Sequence, residues 1–213
     1  MARYLGPREK IERRLGEKLA LKGGRSHSQK SALVRRPYPP GVHGKTGNFG
    51  KVSEFGLQLR SKQKVRKTYR LMEKQFKSLI QRALTEKKID PYDAMIAALE
   101  TRLDNSVFRM GLGQSRDQAR QLVSHGHITV NGRKVTIPSF RVSQGDVLGI
   151  REGSKKNVFM GTLMPQWLAN YEAPAWMVLD KQTQTATITT IPKMDASGLK
   201  VDDLQAIIEY YSR

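Results

Sequence analysis

Cysteine is absent from this 213-residue chain, which excludes disulfide staples and thiolate zinc sites and suits a reducing, cytosolic compartment. No stretch approaches the roughly 20 apolar residues that a membrane-spanning helix needs. The start, "MARYLGP", has no apolar run able to serve as a signal peptide, so no membrane partner is expected. Also missing are a G-x-S-x-G elbow, a Walker-type phosphate loop and an H-E-x-x-H motif. The acids Asp104, Asp117 and Asp146 fall at a junction, a helix first turn and a hairpin turn, where each has an ordinary structural role. "GLGQSR" (residues 111–116) resembles a glycine-rich loop entering a helix, but no strand pattern precedes it. Neither catalysis nor a cofactor is expected.

Acidic residues are scarce as well. Against 38 Lys and Arg stand 19 Asp and Glu, a formal charge of +19 with a pI near 10.3. Such an excess implies an extended polyanionic partner, nucleic acid before an anionic membrane. Residues 1–84 hold 22 basic against 5 acidic residues, residues 85–164 hold 12 against 8, and residues 165–213 hold 4 against 6. The polyanion contact is therefore expected mainly at the N-terminal end, since a generally basic solvated surface would spread the excess along the chain. The length allows one sizeable core or two small ones.

Residues 1 to about 52 show little periodicity, many Gly and Pro, and cations at Arg3, Arg8, Lys10, Arg13, Arg14, Lys18, Lys22, Arg25, Lys30, Arg35 and Arg36. A segment of this kind buries too little apolar surface to fold well alone and is expected to order on its partner. "RRPYPPG" (residues 35–41) is stiffened by Pro37, Pro39 and Pro40. Tyr38 between them either stacks on a base or packs on the next domain.

From Ser53 the pattern becomes helical, with Phe55, Leu59, Val65, Tyr69, Met72, Phe76, Leu79, Ile80 and Ala83 building a core face. Between them "RSKQKVRKTYR" places Arg60, Lys62, Lys64, Arg66, Lys67 and Arg70 around the remaining surface with almost no acid in that stretch to pair with them, which favours phosphate contact. "IDPYDAMIAALETRLDN" has Asp90 as N-cap, Pro91 at the first helical position and Asp93 in the first turn. At the other end, Asp202 is the expected N-cap of an amphipathic helix presenting Leu204, Ile207, Ile208 and Tyr211. Strands are expected at Trp176 to Leu179 and Thr185 to Ile191.

In "SRDQARQLVSHGHITVNG" (residues 115–132), Ser115 and Gln118 form a capping-box pair, Ala119, Leu122 and Val123 an inward stripe, and Gly126 a helix stop. Arg116 and Arg120, one turn apart near the helix start, suggest a phosphate clamp. Ile128 and Val130 alternate with His127 and Thr129, Asn131-Gly132 turns the chain, and Val135 and Ile137 are expected to point inward. Arg133 and Lys134 then lie on the open side or turn, a donor-rich rim suited to folded RNA. His125 and His127 are either exposed polar residues at a helix-to-strand junction or RNA hydrogen-bonding groups. A metal site is disfavoured because the other two histidines, His27 and His43, lie in the basic arm.

The stretch "SRDQARQLVSHGHITVNGRKVTIPSFRVSQGDVLGIRE" resembles the RNA-binding module named after ribosomal small-subunit protein four, which several RNA-modifying enzymes and a class of tRNA synthetases also carry. "MARYLGPREKIERRLG", "RRPYPPGVHG", "LQLRSKQKVRKTYRLMEKQF", "LETRLDNSVFRMG" and "EYYSR" extend the resemblance over nearly the whole chain, to the ribosomal small-subunit protein four family in its bacterial and organellar form. The resemblance implies an α+β chain. Its parts are an extended basic arm (1–52), a discontinuous all-α domain (53–95 plus about 196–213) and an inserted small α/β RNA-binding module with short antiparallel hairpins (96–195).

It further implies a protein that binds the 5′ domain of small-subunit rRNA early, at a junction of several helices, and nucleates assembly. Its neighbours would be small-subunit proteins three and five beside the mRNA entrance channel, with contact to protein five influencing decoding accuracy. The candidate rRNA-binding residues are Arg3, Arg8, Arg13, Arg14, Lys22, Arg35, Arg36, Tyr38, Arg60, Lys62, Lys64, Arg66, Lys67, Arg70, Arg116, Arg120, His127, Arg133 and Lys134, with Lys45 and Lys51 toward mRNA. Many relatives hold a zinc ion with four cysteines in the arm. The matching positions here are Glu9, Glu12, Ser26 and Ser31, so no metal is expected and the arm must be held by RNA and the domain alone. Two rival readings are an RNA-modifying enzyme of pseudouridine synthase type, which needs a further catalytic domain, and a free RNA-binding regulator, which would not travel with small subunits.

Overall fold

The computed structural model describes residues 4–47, 50–86 and 89–212. The chain is α+β and divides into two compact units, Met1–Thr85 with Leu199–Arg213, and Glu86–Gly198.

The first unit begins with α1 (Arg8–Leu15), the single turns α2 (Gly24–His27) and α3 (Ala32–Arg35), and the long helices α4 (Glu54–Thr68) and α5 (Glu73–Leu84). The basic arm is less extended than its composition suggests. Ile11, Leu15, Leu19 and Leu21 bury one another, with Tyr4 packed against them. Helix α4 starts where Ser53 Oγ accepts from the Gly56 amide at 3.3 Å. It ends at Tyr69, after which Arg70 takes a left-handed φ of 58°, so α4 and α5 do not share one helical phase. For that reason Met72, expected on the core face, is 37% exposed, while Val65, Phe76 and Ile80 are fully buried. Phe55 also stays half exposed, although its ring stacks on Tyr210 at 5.7 Å.

The second unit opens with α6 (Pro91–Glu100), α7 (Leu103–Arg109) and α8 (Arg116–Ser124). Asp90 caps α6, its Oδ1 accepting from Tyr92 N at 2.8 Å and Asp93 N at 3.4 Å. Strands β1 (Ile128–Val130), β2 (Arg133–Lys134) and β3 (Val147–Ile150) follow, then α9 (Glu152–Lys155), a π-helical turn at Phe159–Leu163, α10 (Met164–Leu168), β4 (Met177–Asp180) and β5 (Thr185–Ile188). All five strands form one antiparallel sheet in the order β2-β1-β3-β5-β4. The β1–β2 turn puts Asn131 and Gly132 at φ of 50° and 77°, the paired positive values that a two-residue hairpin demands. One core lies between sheet and helices, with Leu103, Val107, Leu122, Ile128, Leu148, Met164, Trp176 and Ile188 among its members. Replacing a residue such as Leu103 with Ala there costs about 2–5 kcal/mol. Because β2 ends at Lys134, Ile137 does not follow the strand inward and is 54% exposed.

The C-terminal helix α11 (Val201–Ser212) returns to the first unit and packs along α4. It begins at Val201, so Asp202, the expected N-cap, lies inside the first turn together with Asp203. Leu204 and Ile207 are fully buried.

Candidate nucleic-acid interface

In the second unit the α8–β1 junction carries the cations expected of it. Ser115 Oγ caps α8 by accepting from Gln118 N at 3.3 Å, while Gln118 Oε1 accepts from Gln114 N at 2.9 Å rather than reaching back to the cap residue itself. Gly126 ends the turn at φ 74°. At that φ any side chain would be strained, which is why glycine stands there.

Ile128 and Val130 go to the core, leaving His127 half-buried and Arg133 and Lys134 exposed. His127 Nδ1 lies 3.0 Å from Ser154 Oγ. Burial, then the nearby His125, Arg151 and Lys134, hold its imidazole below the ordinary 6.5. Arg151, also exposed, is a member of this rim that the sequence reading missed. No local signal marked it: its place follows from the antiparallel pairing of β1 with β3 through Ile128 and Ile150, which sets residue 151 beside residue 127, where the Arg151 amide donates to the His127 carbonyl at 2.9 Å.

The expected phosphate clamp of Arg116 and Arg120 requires correction. Arg120 is 4% exposed and its Nη1 donates to Asp104 Oδ2 at 2.7 Å, where Arg102 Nη2 also donates at 3.0 Å. Arg116 lies 4.5 Å over the Phe108 ring, its Nε donating to Asn105 Oδ1 at 2.8 Å. Asn105 in turn donates to the buried Glu100, which Arg109 grips at 2.7 and 2.8 Å. The second face of α8 packs on α7, so Arg120 is withdrawn from solvent into a buried polar network, while the half-buried Arg116 is held at its edge by Asn105 and Phe108.

The same correction applies to the α4 cations in the first unit, whose acids arrive from elsewhere in the chain. Lys62, 3% exposed, pairs with Glu73 at 2.7 Å and sits 4.2 Å over the Tyr210 ring. Arg66 shares Glu73 at 3.1 Å. Burial alone would raise that carboxyl, but Lys62 and Arg66 outweigh it and hold Glu73 below its ordinary value. Lys64 bridges Glu17 at 2.6 Å and Asp203 at 2.7 Å. Arg70 is buried and donates to the Tyr4 carbonyl at 3.0 Å, and Arg60 donates to the Leu15 carbonyl. Arg13 donates to the Arg36, Tyr38 and Pro39 carbonyls and lies 4.9 Å over the Tyr38 ring, which ties Tyr38 to the arm's own packing.

Exposed in this unit are Lys10, Arg14, Lys18, Lys22, Lys30, Arg35, Arg36, Lys45, Lys51 and the outer part of Arg60, with Arg8 half-buried. Lys22 pairs loosely with Glu9 at 3.9 Å. Arg3 lies outside the described residues.

The four arm positions Glu9, Glu12, Ser26 and Ser31 do not fit a zinc ion. Glu12 is 1% exposed, and its Oε1 accepts from Leu19 N and Leu21 N, each at 3.2 Å, and from Ser26 Oγ at 3.4 Å. Glu9 pairs with Arg25 at 3.1 Å, and Ser31 contributes only a hydroxyl. The carboxylate therefore occupies the centre of the knot, and the arm is held internally rather than by its partners alone. Among the described residues no cluster of three or more His, Asp or Glu side chains is placed to hold a metal ion, and no helix is long and apolar enough to cross a membrane.

Comparison with known proteins matches residues 3–100 to the model of the ribosomal protein S4/S9 N-terminal domain and residues 101–148 to that of the S4 domain. The chain is 45% identical over 213 residues to the small ribosomal subunit protein uS4 of Desulfitobacterium hafniense, with 100% of both chains covered. Over the same full length it is 44% identical to the protein of that name from Kosmotoga olearia and 43% identical to that from a Geobacter species.

Proposed function

The chain belongs to the ribosomal protein S4 family, and from that premise we propose that it is a non-catalytic constituent of the small ribosomal subunit that binds rRNA. It engages the 5′ domain of small-subunit rRNA at a junction of several helices and nucleates assembly there. The arm (1–52) and the helical domain (53–95 with about 196–213) make one contact, and the module (96–195) makes a second. On the subunit it lies beside proteins three and five near the mRNA entrance channel, toward which Lys45 and Lys51 point the basic arm, and its contact with protein five influences decoding accuracy.

The observation that carries the rRNA reading is the set of cations left after the fold has used its own acids. Lys10, Arg14, Lys30, Arg35 and Arg36 in one unit, and Arg133, Lys134 and Arg151 in the other, are exposed and meet no acidic side chain at ion-pair distance among the described residues. Cations so placed neutralise phosphates without a competing internal partner.

Chemical footprinting of small-subunit rRNA with and without the chain tests the reading. Protection is expected in the 5′ domain, together with stoichiometric sedimentation with small subunits. Absence of protection refutes it. Newly modified nucleotides after incubation would instead mark an RNA-modifying enzyme.

A further inference from the structure

A concavity of about 550 Å³ opens between α1 and α4, within the size range in which proteins seat small ligands. Lys10 and Arg14, one turn apart on α1, face Arg66 and Lys67 of α4 across it, and Tyr4 and Ile11 supply apolar lining. The cations are crowded. Burial, then Arg66, Arg70 and Arg14, hold the Lys67 ammonium below its ordinary 10.5. The nearby carboxylate, Glu73, is already shared by Lys62 and Arg66. Arg66 Nε is buried and meets no hydrogen-bond partner among the described residues, although both terminal nitrogens are engaged. That nitrogen is closed to solvent, but Lys10, Arg14 and Lys67 meet no acidic side chain at ion-pair distance among the described residues, so three cations at one recess mark a place for an anion from outside. Lys67 also lies 4.6 Å over the Tyr4 ring, which sets the charges directly beside an aromatic and aliphatic surface.

An anion joined to a flat apolar ring fits such a place, and a phosphate on a smooth duplex surface does not need a recess of this volume. Resting on the rRNA-binding reading above, we propose that this concavity takes one unpaired nucleotide of the bound RNA, its phosphate held by Lys10, Arg14 and Lys67 and its base against the half-buried Tyr4 and the exposed Pro7. Splayed single nucleotides are the usual targets of local RNA recognition because only they offer a free base face.

The test uses the full chain and the 5′ domain of small-subunit rRNA substituted with thiouridine. Ultraviolet crosslinking and peptide mapping should place a crosslink within residues 4–15 or 63–67, the segments that line the concavity. Gln63 also lines it and carries no charge. Gln63→Phe fills the recess and should remove the crosslink while weakening rRNA binding about tenfold, the scale of one lost stacked base. Lys67→Gln should weaken binding but keep the crosslink.

Crosslinks of the parent protein confined to other peptides overturn the proposal without any variant. So does a Gln63→Phe protein with parental helix content that keeps both crosslink and affinity. Free AMP that fills the recess while rRNA binding is undiminished also overturns it, by making a free nucleotide the ligand. In each of these cases rRNA binding itself survives, whereas a parent protein that binds no rRNA removes the underlying reading as well.

Discussion

Glu12→Ala should unfasten the N-terminal arm. Its carboxylate is 1% exposed and receives the Leu19 and Leu21 amides at 3.2 Å and the Ser26 hydroxyl at 3.4 Å. A hydrogen bond to a charged group contributes about 1.5–3 kcal/mol net, and each buried donor left without a partner costs about 1–3 kcal/mol. Counting the two amides and discounting the longer hydroxyl contact, Glu12→Ala should lower the local stability of this region by about 3–5 kcal/mol. Glu12→Gln keeps a neutral acceptor oxygen in place and should cost only about 1–2 kcal/mol. The readout is native-state hydrogen exchange at the two amides, because local opening is measured there without unfolding the rest. A loss of about 3 kcal/mol corresponds to a protection factor reduced by about a hundredfold or more. Exchange at Leu19 and Leu21 in Glu12→Ala that matches the parent would refute the reasoning, as would a chelator that releases those amides in the parent.

Three further outcomes are expected. Arg120→Ala leaves Asp104 buried with Arg102 alone and should lower unfolding stability in urea by about 3 kcal/mol; a variant as stable as the parent that binds RNA poorly would restore the phosphate role that burial argues against. Arg133→Ala with Lys134→Ala touches only exposed side chains, so stability should stay within about 0.5 kcal/mol while the salt slope of RNA binding shrinks by about two units; an unchanged slope contradicts their place on the RNA face. The His127 imidazole is held below 6.5 by burial and then by His125, Arg151 and Lys134, so between its folded value and 6.5 the unfolded chain binds more protons. Stability should therefore fall as pH drops through that window, and His127→Gln should flatten the dependence in a thermal-unfolding pH series.

Local signals were legible where the chemistry is local. The Asp90 cap with Pro91, the Ser115 cap, the Gly126 stop and the Asn131-Gly132 turn each follow from one residue's own preferences, and each forms as read. The alternation of Ile128 and Val130 similarly fixed which side of β1 meets the core. Charge was read less well, because a cation's partner is set by tertiary contact. Lys62 and Arg66 looked unpaired along α4 but meet Glu73 from the start of α5, Lys64 meets Asp203 from α11, and Arg120 meets Asp104 from α7. The arm was misjudged for a related reason. Four spaced aliphatic residues, Ile11, Leu15, Leu19 and Leu21, are too few to register as a periodic pattern, yet they close a small core once Glu12 gathers the intervening amides.

The claim that matters most is that exposed cations, left over after the fold has satisfied its own acids, hold RNA through its phosphates. Equilibrium binding of the full chain to the 5′ domain of small-subunit rRNA across a salt series measures this directly. The logarithm of the association constant should fall linearly with the logarithm of salt concentration, with a slope of roughly −5 or steeper as counterions leave several phosphates at once. A nearly flat line would contradict it.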